Sequence, residues 1–163
     1  MSTTKPDVGT TLIEKSGTTD LVITRVFDAP RHLVFDAHTD PKHLPNWMLG
    51  PSGWSMPVCE LDLRQGGHWR FVWRRENETE MGMSGVYTDV DAPALYASTE
   101  DWGAEFPMAL NIVTFVETDG RTTVRTRVIY KSEEARAQAM ETGMEEGMNI
   151  SYGRLDDYLS SLN

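Results

Sequence analysis

The sequence predicts an α+β domain in which a curved antiparallel sheet wraps a long C-terminal helix. Three features of its 163 residues carry that expectation. From about Ser55 to Tyr130, apolar and polar residues alternate with a period of two, the mark of strands with one wet and one buried face. Beyond Thr142, the residues Met144, Met148, Tyr152, Leu155, Leu159 and Leu162 recur at helical spacing, an apolar stripe on a rod about 28 Å long. No other segment is long enough to cover the apolar face of so wide a sheet.

The elements follow in order. Leu21–Phe27 is rich in β-branched residues and reads as a strand, with Leu12–Lys15 as a short extension before it. Asp28-Ala-Pro30 ends that strand and starts a helix striped by Leu33, Val34 and Ala37, with Pro30 in the first turn, where its missing N–H costs nothing. Thr39-Asp40-Pro41 opens a second helix with Asp40 as its cap. Leu44 and Trp47 share a face there, and Pro45 keeps the helix very short. Ser55–Leu63 is a strand closed at Gly66-Gly67. On His68–Arg74, Trp69, Phe71 and Trp73 point one way while His68, Arg70 and Arg74 point the other. Met81, Met83, Gly85 and Tyr87 share a face of the next strand. Leu95–Trp102, Leu110–Val116 and Thr122–Tyr130 complete the meander, the last two joined by a hairpin at Asp119-Gly120. The sheet thus has six to seven strands. Ser132 caps a final helical region, and the T-x-x-E match at Thr142–Glu145 predicts a bend or restart within it. Residues 1–10 are polar and read as a disordered tail, leaving 11–163 as one domain.

Bulk properties exclude several classes. Hydrophobic residues make up 39% and charged residues 25%, an ordinary globular balance. No stretch approaches the ~20 apolar residues of a membrane span, and the polar N-terminus is no secretory signal. Cys59 is the single cysteine, which suits a reducing cytoplasm. A net charge of −10 argues against nucleic acid, whose binders concentrate Lys and Arg in a basic patch. Enzyme templates are missing: there is no G-x-S-x-G elbow, no phosphate-binding loop and no H-E-x-x-H. The four histidines show no metal-ligand spacing, so neither a metal nor another cofactor is expected.

An ordered set of short motifs resembles the START-like (SRPBCC, helix-grip) superfamily from about Leu21 to Leu162. These are Phe27-Asp-Ala-Pro30 with Val34 and Ala37, Thr39-Asp40-Pro41, Trp47, and Asp62-Leu-Arg64 with Gly66-Gly67. Gly85-Val-Tyr87 and Gly143–Gly147 leading to Arg154-Leu155 complete the set. Within it the chain is most similar to the bacterial branch of homologues of the activator of the Hsp ninety ATPase. The resemblance implies a cavity between sheet and long helix that takes an apolar or amphipathic small molecule, lipid-like or aromatic. Two further functions are compatible with it: a cyclase- or hydratase-type enzyme, and a chaperone-related interaction module. A homodimer is also compatible.

Side chains suited to lining that cavity are Trp47, Trp54, Trp69, Phe71, Trp73 and Tyr87, whose flat apolar faces typify small-molecule sites. Met83, Met108, Met144 and Met148 would add adaptable thioether walls, joined by Tyr152 and Asn111. Ordinary core packing accounts for the same residues equally well. Arg25 and Glu60 share the parity of apolar strand positions. If they face inward they must pair or anchor a polar head group, because a lone buried charge is costly. Thr99 is a weaker candidate of that kind. Gly143 and Gly147, four apart, are expected to lie on one helix face. No residue is assigned a catalytic role.

Overall fold

A computed structural model describes residues 5–103 and 108–162. Eight strands form one antiparallel sheet: β1 (Thr11–Ser16), β2 (Asp20–Phe27), β3 (Trp54–Leu61), β4 (His68–Arg75), β5 (Glu80–Asp91), β6 (Leu95–Glu100), β7 (Ala109–Thr118) and β8 (Arg121–Ile129). Three α-helices accompany it, α1 (Arg31–Thr39), α2 (Glu133–Met140) and α3 (Met144–Leu162), with one 3-10 turn at Leu44–Asn46. The sheet exceeds the expected six to seven strands because the extension before β2 pairs along its whole length, from Thr11 opposite Arg25 to Ser16 opposite Asp20.

Strand order is β1-β2-β8-β7-β6-β5-β4-β3. After β2 the chain therefore crosses through α1 and the 3-10 turn to the far edge, then meanders back until β8 lies beside β2. That circuit curls the sheet around α3, as the helix-grip architecture requires. Leu44 and Trp47 share the buried face expected of them, being 0% and 1% exposed. The tight hairpin between β7 and β8 places Asp119 and Gly120 at φ 54° and 77°, the paired positive values of a two-residue turn whose twist matches the strands.

The sheet bends where β5 passes from β4 to β6, and its pairing with β6 shifts register between Tyr87 and Asp89. Gly85 lies at that bend. A Cβ there would sit 2.0 Å from the Thr99 carbonyl oxygen and 2.7 Å from Trp69 Nε1, so no side chain fits. At the other end, Ser132 caps α2 by accepting from the Ala135 N–H at 3.0 Å. The second capping box does not form. Thr142 Oγ1 donates to the Ala139 carbonyl at 2.6 Å, so it closes α2 rather than opening α3. Gly143 (φ +81°) makes the break between the two helices and is not on the face of α3.

Of the segment 1–10, residues 1–4 lie outside the described residues. The Gly9 N–H reaches the Val26 carbonyl at 3.4 Å. Among the described residues no helix is long and apolar enough to cross a membrane.

Candidate functional site on the helix-facing wall

Alternation along β6 sends Tyr96, Ser98 and Glu100 toward α3, and the β6–β7 register sets Ser98 opposite Asn111. The polar groups of this wall converge on the Glu100 carboxylate. Its Oε1 accepts from Trp102 Nε1 at 2.7 Å and its Oε2 from Asn111 Nδ2 at 2.5 Å. Those bonds orient the Asn111 carboxamide, because a flipped amide would set its oxygen against the carboxylate. The consequence is an orphan: Asn111 Oδ1 is buried and has no hydrogen-bond partner among the described residues. An enclosed acceptor left without a donor costs about 1–3 kcal/mol.

Two tyrosines, Tyr96 and Tyr130, feel this carboxylate. Burial pushes the Tyr96 hydroxyl well above its ordinary value, with Tyr87, Tyr152 and Glu100 adding to the shift. Burial and then Glu100 push Tyr130 up to about 12. Tyr87 and Tyr152 are likewise raised, chiefly by burial. All four are therefore neutral donors at physiological pH. The Tyr130 hydroxyl reaches Met144 Sδ at 3.9 Å, which places the wall beneath the first turn of α3.

The helix is held unevenly over that wall. Its later turns are tied down: Tyr152 stacks on Trp47 with centroids 6.0 Å apart and planes 18° apart, and Leu155 and Leu159 are buried. Arg154 donates to the Trp47 and Gly50 carbonyls at 3.0 and 2.9 Å, and Ser151 Oγ accepts from the Gly50 N–H at 2.8 Å. The first turns are looser. Met144 and Met148 are half-buried, and a Cβ built on Gly147 meets no atom within 4 Å. Open space thus borders the helix one turn before Ser151.

The expected pocket residues separate into groups. Trp47 and Tyr152 are closed core, with Trp47 Nε1 donating to the Ala37 carbonyl at 2.8 Å. Trp69, Phe71 and Trp73 form an inward row; Phe71 lies 4.9 Å from Trp69 and 6.0 Å from Trp73. Trp73 Nε1 donates to the Met48 carbonyl at 2.7 Å, and its ring stacks on Trp102. Met83 pairs with Phe71 across β4 and β5 and is half-buried, and Tyr87 is buried. Trp54 sits on edge strand β3 with the Arg75 guanidinium 5.6 Å above its ring.

Three expectations are corrected. Glu60 is exposed, not inward: a register irregularity between Ser55 and Val58 resets the parity, so Cys59 and Leu61 face the core opposite Phe71 and Trp69. Met108 is 54% exposed, just ahead of β7. Thr99 points outward, its Oγ1 accepting from the Val86 N–H at 2.9 Å. Arg25 does face inward at 3% exposed, but it is already engaged, meeting Asp156 Oδ2 at 2.5 Å and Thr11 Oγ1 at 2.7 Å.

Glu60 and Met108 border a different feature, an open cleft of about 470 Å³ across the outer side of the sheet bend, with His68, Arg70 and Asp101. Its charged lining alternates away from the core, and it lies on the other side of the sheet from Glu100. Among the described residues no group of three or more His, Cys, Asp or Glu is placed to hold a metal ion.

Sequence reasoning missed Glu100, Trp102, Tyr96 and Tyr130. The available signal was Leu95–Trp102 itself, where Tyr96, Glu100 and Trp102 share one parity. Both faces of that strand mix polar and apolar residues, so alternation alone does not reveal which face is inner.

Comparison with known proteins places this geometry in context. A family model described as Activator of Hsp90 ATPase homolog 1-like protein matches residues 28–160. A crystal structure of a Rhodobacter sphaeroides protein superposes with a TM-score of 0.87 at 26% identity, covering 94% of this chain and 100% of the other. A Staphylococcus epidermidis protein solved by NMR gives 0.79 at 26% identity, covering 93% and 94%. An AHSA1-like protein from Aeromonas hydrophila gives 0.68 at 20% identity over 85% and 94%, a likeness of fold alone. Among curated proteins none matches the chain.

Proposed function

The chain belongs to the family of Activator of Hsp90 ATPase homolog 1-like proteins, and from that premise we propose that it binds an amphipathic small molecule between the concave sheet face and the first turns of α3. One observation carries the reading: Asn111 Oδ1, an enclosed acceptor with no donor among the described residues, is held in place by Glu100 on a wall that also carries the aromatic rings of Tyr96, Trp102 and Phe115. Small-molecule sites have this composition, apolar surface with a few fixed polar groups that set orientation. The open space at Gly147 and the half-buried Met144 and Met148 support entry beside the helix, since thioethers adapt to varied apolar shapes.

No proton-transfer role is assigned to this wall. Both carboxylate oxygens of Glu100 already accept from N–H donors, and burial holds the tyrosine hydroxyls protonated, with pKa values raised far from neutral pH. The reading is therefore binding rather than catalysis.

Calorimetric titration with a panel of fatty acids, sterols and fused-ring alcohols tests it. The expected result is saturable one-to-one binding of at least one class, with the negative heat-capacity change of apolar burial. Absence of saturable heat across the panel would overturn the reading.

A further inference from the structure

We propose that the ligand of this inner wall carries a cationic, hydrogen-bond-donating head group, an amine or ammonium, seated on Glu100 and Asn111. The inference rests on the binding reading above and adds the sign and chemistry of the polar end.

Glu100 carries an uncompensated charge. Glu100 is half-buried, and among the described residues no Lys, Arg or His lies within ion-pair distance of it. Its hydrogen bonds come from an indole and an amide, both neutral. Partly buried carboxylates ordinarily find a counter-charge, because withdrawing a charge from water without one is costly. The inward positions flanking it supply none. They are Tyr96 and Ser98 on β6; Ala109, Asn111, Val113 and Phe115 on β7; and Thr122, Val124, Thr126 and Val128 on β8. Arg25, the one inward guanidinium of β2, is committed to Asp156.

At Asn111 the unmet hydrogen bond has a direction. Asn111 Oδ1 accepts only, and the Glu100 carboxylate beside it also accepts only. A carboxylate or phosphate would meet two acceptors and be repelled, and a hydrocarbon end would leave the orphan unpaired. An ammonium has several N–H donors and can serve both oxygens at once, with charge-assisted bonds to the carboxylate.

The surroundings of Glu100 also favour a cation. Trp102 stacks on Trp73 with centroids 5.8 Å apart and planes 17° apart, and the Trp102 indole is anchored to Glu100 itself. Aromatic faces next to a carboxylate add to its attraction for a cation, because the ring face is electron-rich. The chain's net charge of −10 favours approach of a cation from solution. One element opposes it: the positive end of the α3 dipole lies at Met144. Glu145 and Glu146 in the first turn of that helix offset it.

The test is a matched series of probes sharing one fused-ring body: naphthylmethylamine, naphthylmethanol and naphthoic acid, titrated calorimetrically at neutral pH. The amine is expected to bind about tenfold or more tightly than the alcohol, with the acid weakest. Glu100→Gln is expected to abolish the preference for the amine over the alcohol. Asn111→Ser is expected to reduce the preference without abolishing it. Equal binding of amine and alcohol, or strongest binding of the acid, would overturn the inference and leave the binding reading standing. Failure of all three probes to bind would overturn both. The wild-type series decides the matter even if Glu100→Gln does not fold.

Discussion

Arg25 on β2 meets Asp156 on α3 at 2.5 Å, and this contact fastens the long helix to the second strand of the sheet it covers. Arg25 is 3% exposed and also lies 5.6 Å from the ring centroids of Phe27 and Tyr152. Burial, the largest influence, pushes the Asp156 carboxyl up; Arg25 draws it down, Asp157 raises it again, and the net shift is upward. The pair's importance therefore lies in not leaving Arg25 alone, rather than in net attraction. Asp156→Asn should cost about 3 kcal/mol of unfolding free energy, because the guanidinium stays buried without its partner. The double change Arg25→Met with Asp156→Leu should return to within about 1 kcal/mol of wild type. Urea unfolding of the single and double variants measures both.

His38 gives the fold a pH dependence. Its Nδ1 donates to the Val34 carbonyl at 2.8 Å, while Nε2, buried among Phe27, Trp47 and Phe115, has no partner among the described residues. Burial lowers its pKa from 6.5 to about 4, so the folded state holds the neutral ring. Below pH 6.5 the unfolded chain takes up a proton that the folded chain refuses. Stability is complete above that value and falls as pH drops toward about 4, by about 3 kcal/mol in all. The difference in unfolding free energy between wild type and His38→Phe, followed across that window, should carry this slope. A constant difference would show that His38 titrates normally.

What was legible in the sequence was whatever local patterning dictates. The Trp69-Phe71-Trp73 row, the Ser132 cap and the Asp119-Gly120 hairpin each follow from a few adjacent residues, and the structure has all three. Errors arose where one residue resets the pattern. The irregularity before Val58 reversed the parity of β3 and carried Glu60 to the outside. Gly143 adopted a left-handed turn, which left Thr142 to close α2. The polar wall was hidden for a different reason. Glu100 and Asn111 are eleven positions apart in sequence and become partners only through the β6–β7 register, which alternation does not specify.

Cys59 should be nearly inert. It faces the core opposite Phe71, and burial pushes its thiol up to about 11 from 9.0. At pH 8 it then holds about a hundredfold less thiolate than an unperturbed thiol, and thiolate is the reacting form. Its reaction with an aromatic disulfide reagent should be slower in the folded protein by at least that factor, and fast in denaturant. Rapid labelling of the native protein would contradict this placement.

Gly147 offers a test of the open space beside α3. Ala there should raise stability by about 0.5–1 kcal/mol, since a helix interior favours it and its methyl group meets nothing within 4 Å. Phe at the same position should fill that space and weaken naphthylmethanol binding about tenfold or more, with a thermal midpoint close to wild type. Unchanged affinity in the Phe variant would move the entry route away from this turn.

The central claim concerns location, and the methionines report it directly. Met144 and Met148 overlie the inner wall, whereas Met108 borders the cleft on the outer side of the sheet. Methyl-labelled methionine spectra recorded during titration with naphthylmethanol should show dose-dependent shifts at Met144 and Met148 while Met108 stays fixed. Shifts at Met108 with Met144 and Met148 unmoved would place the ligand in the outer cleft and contradict the account.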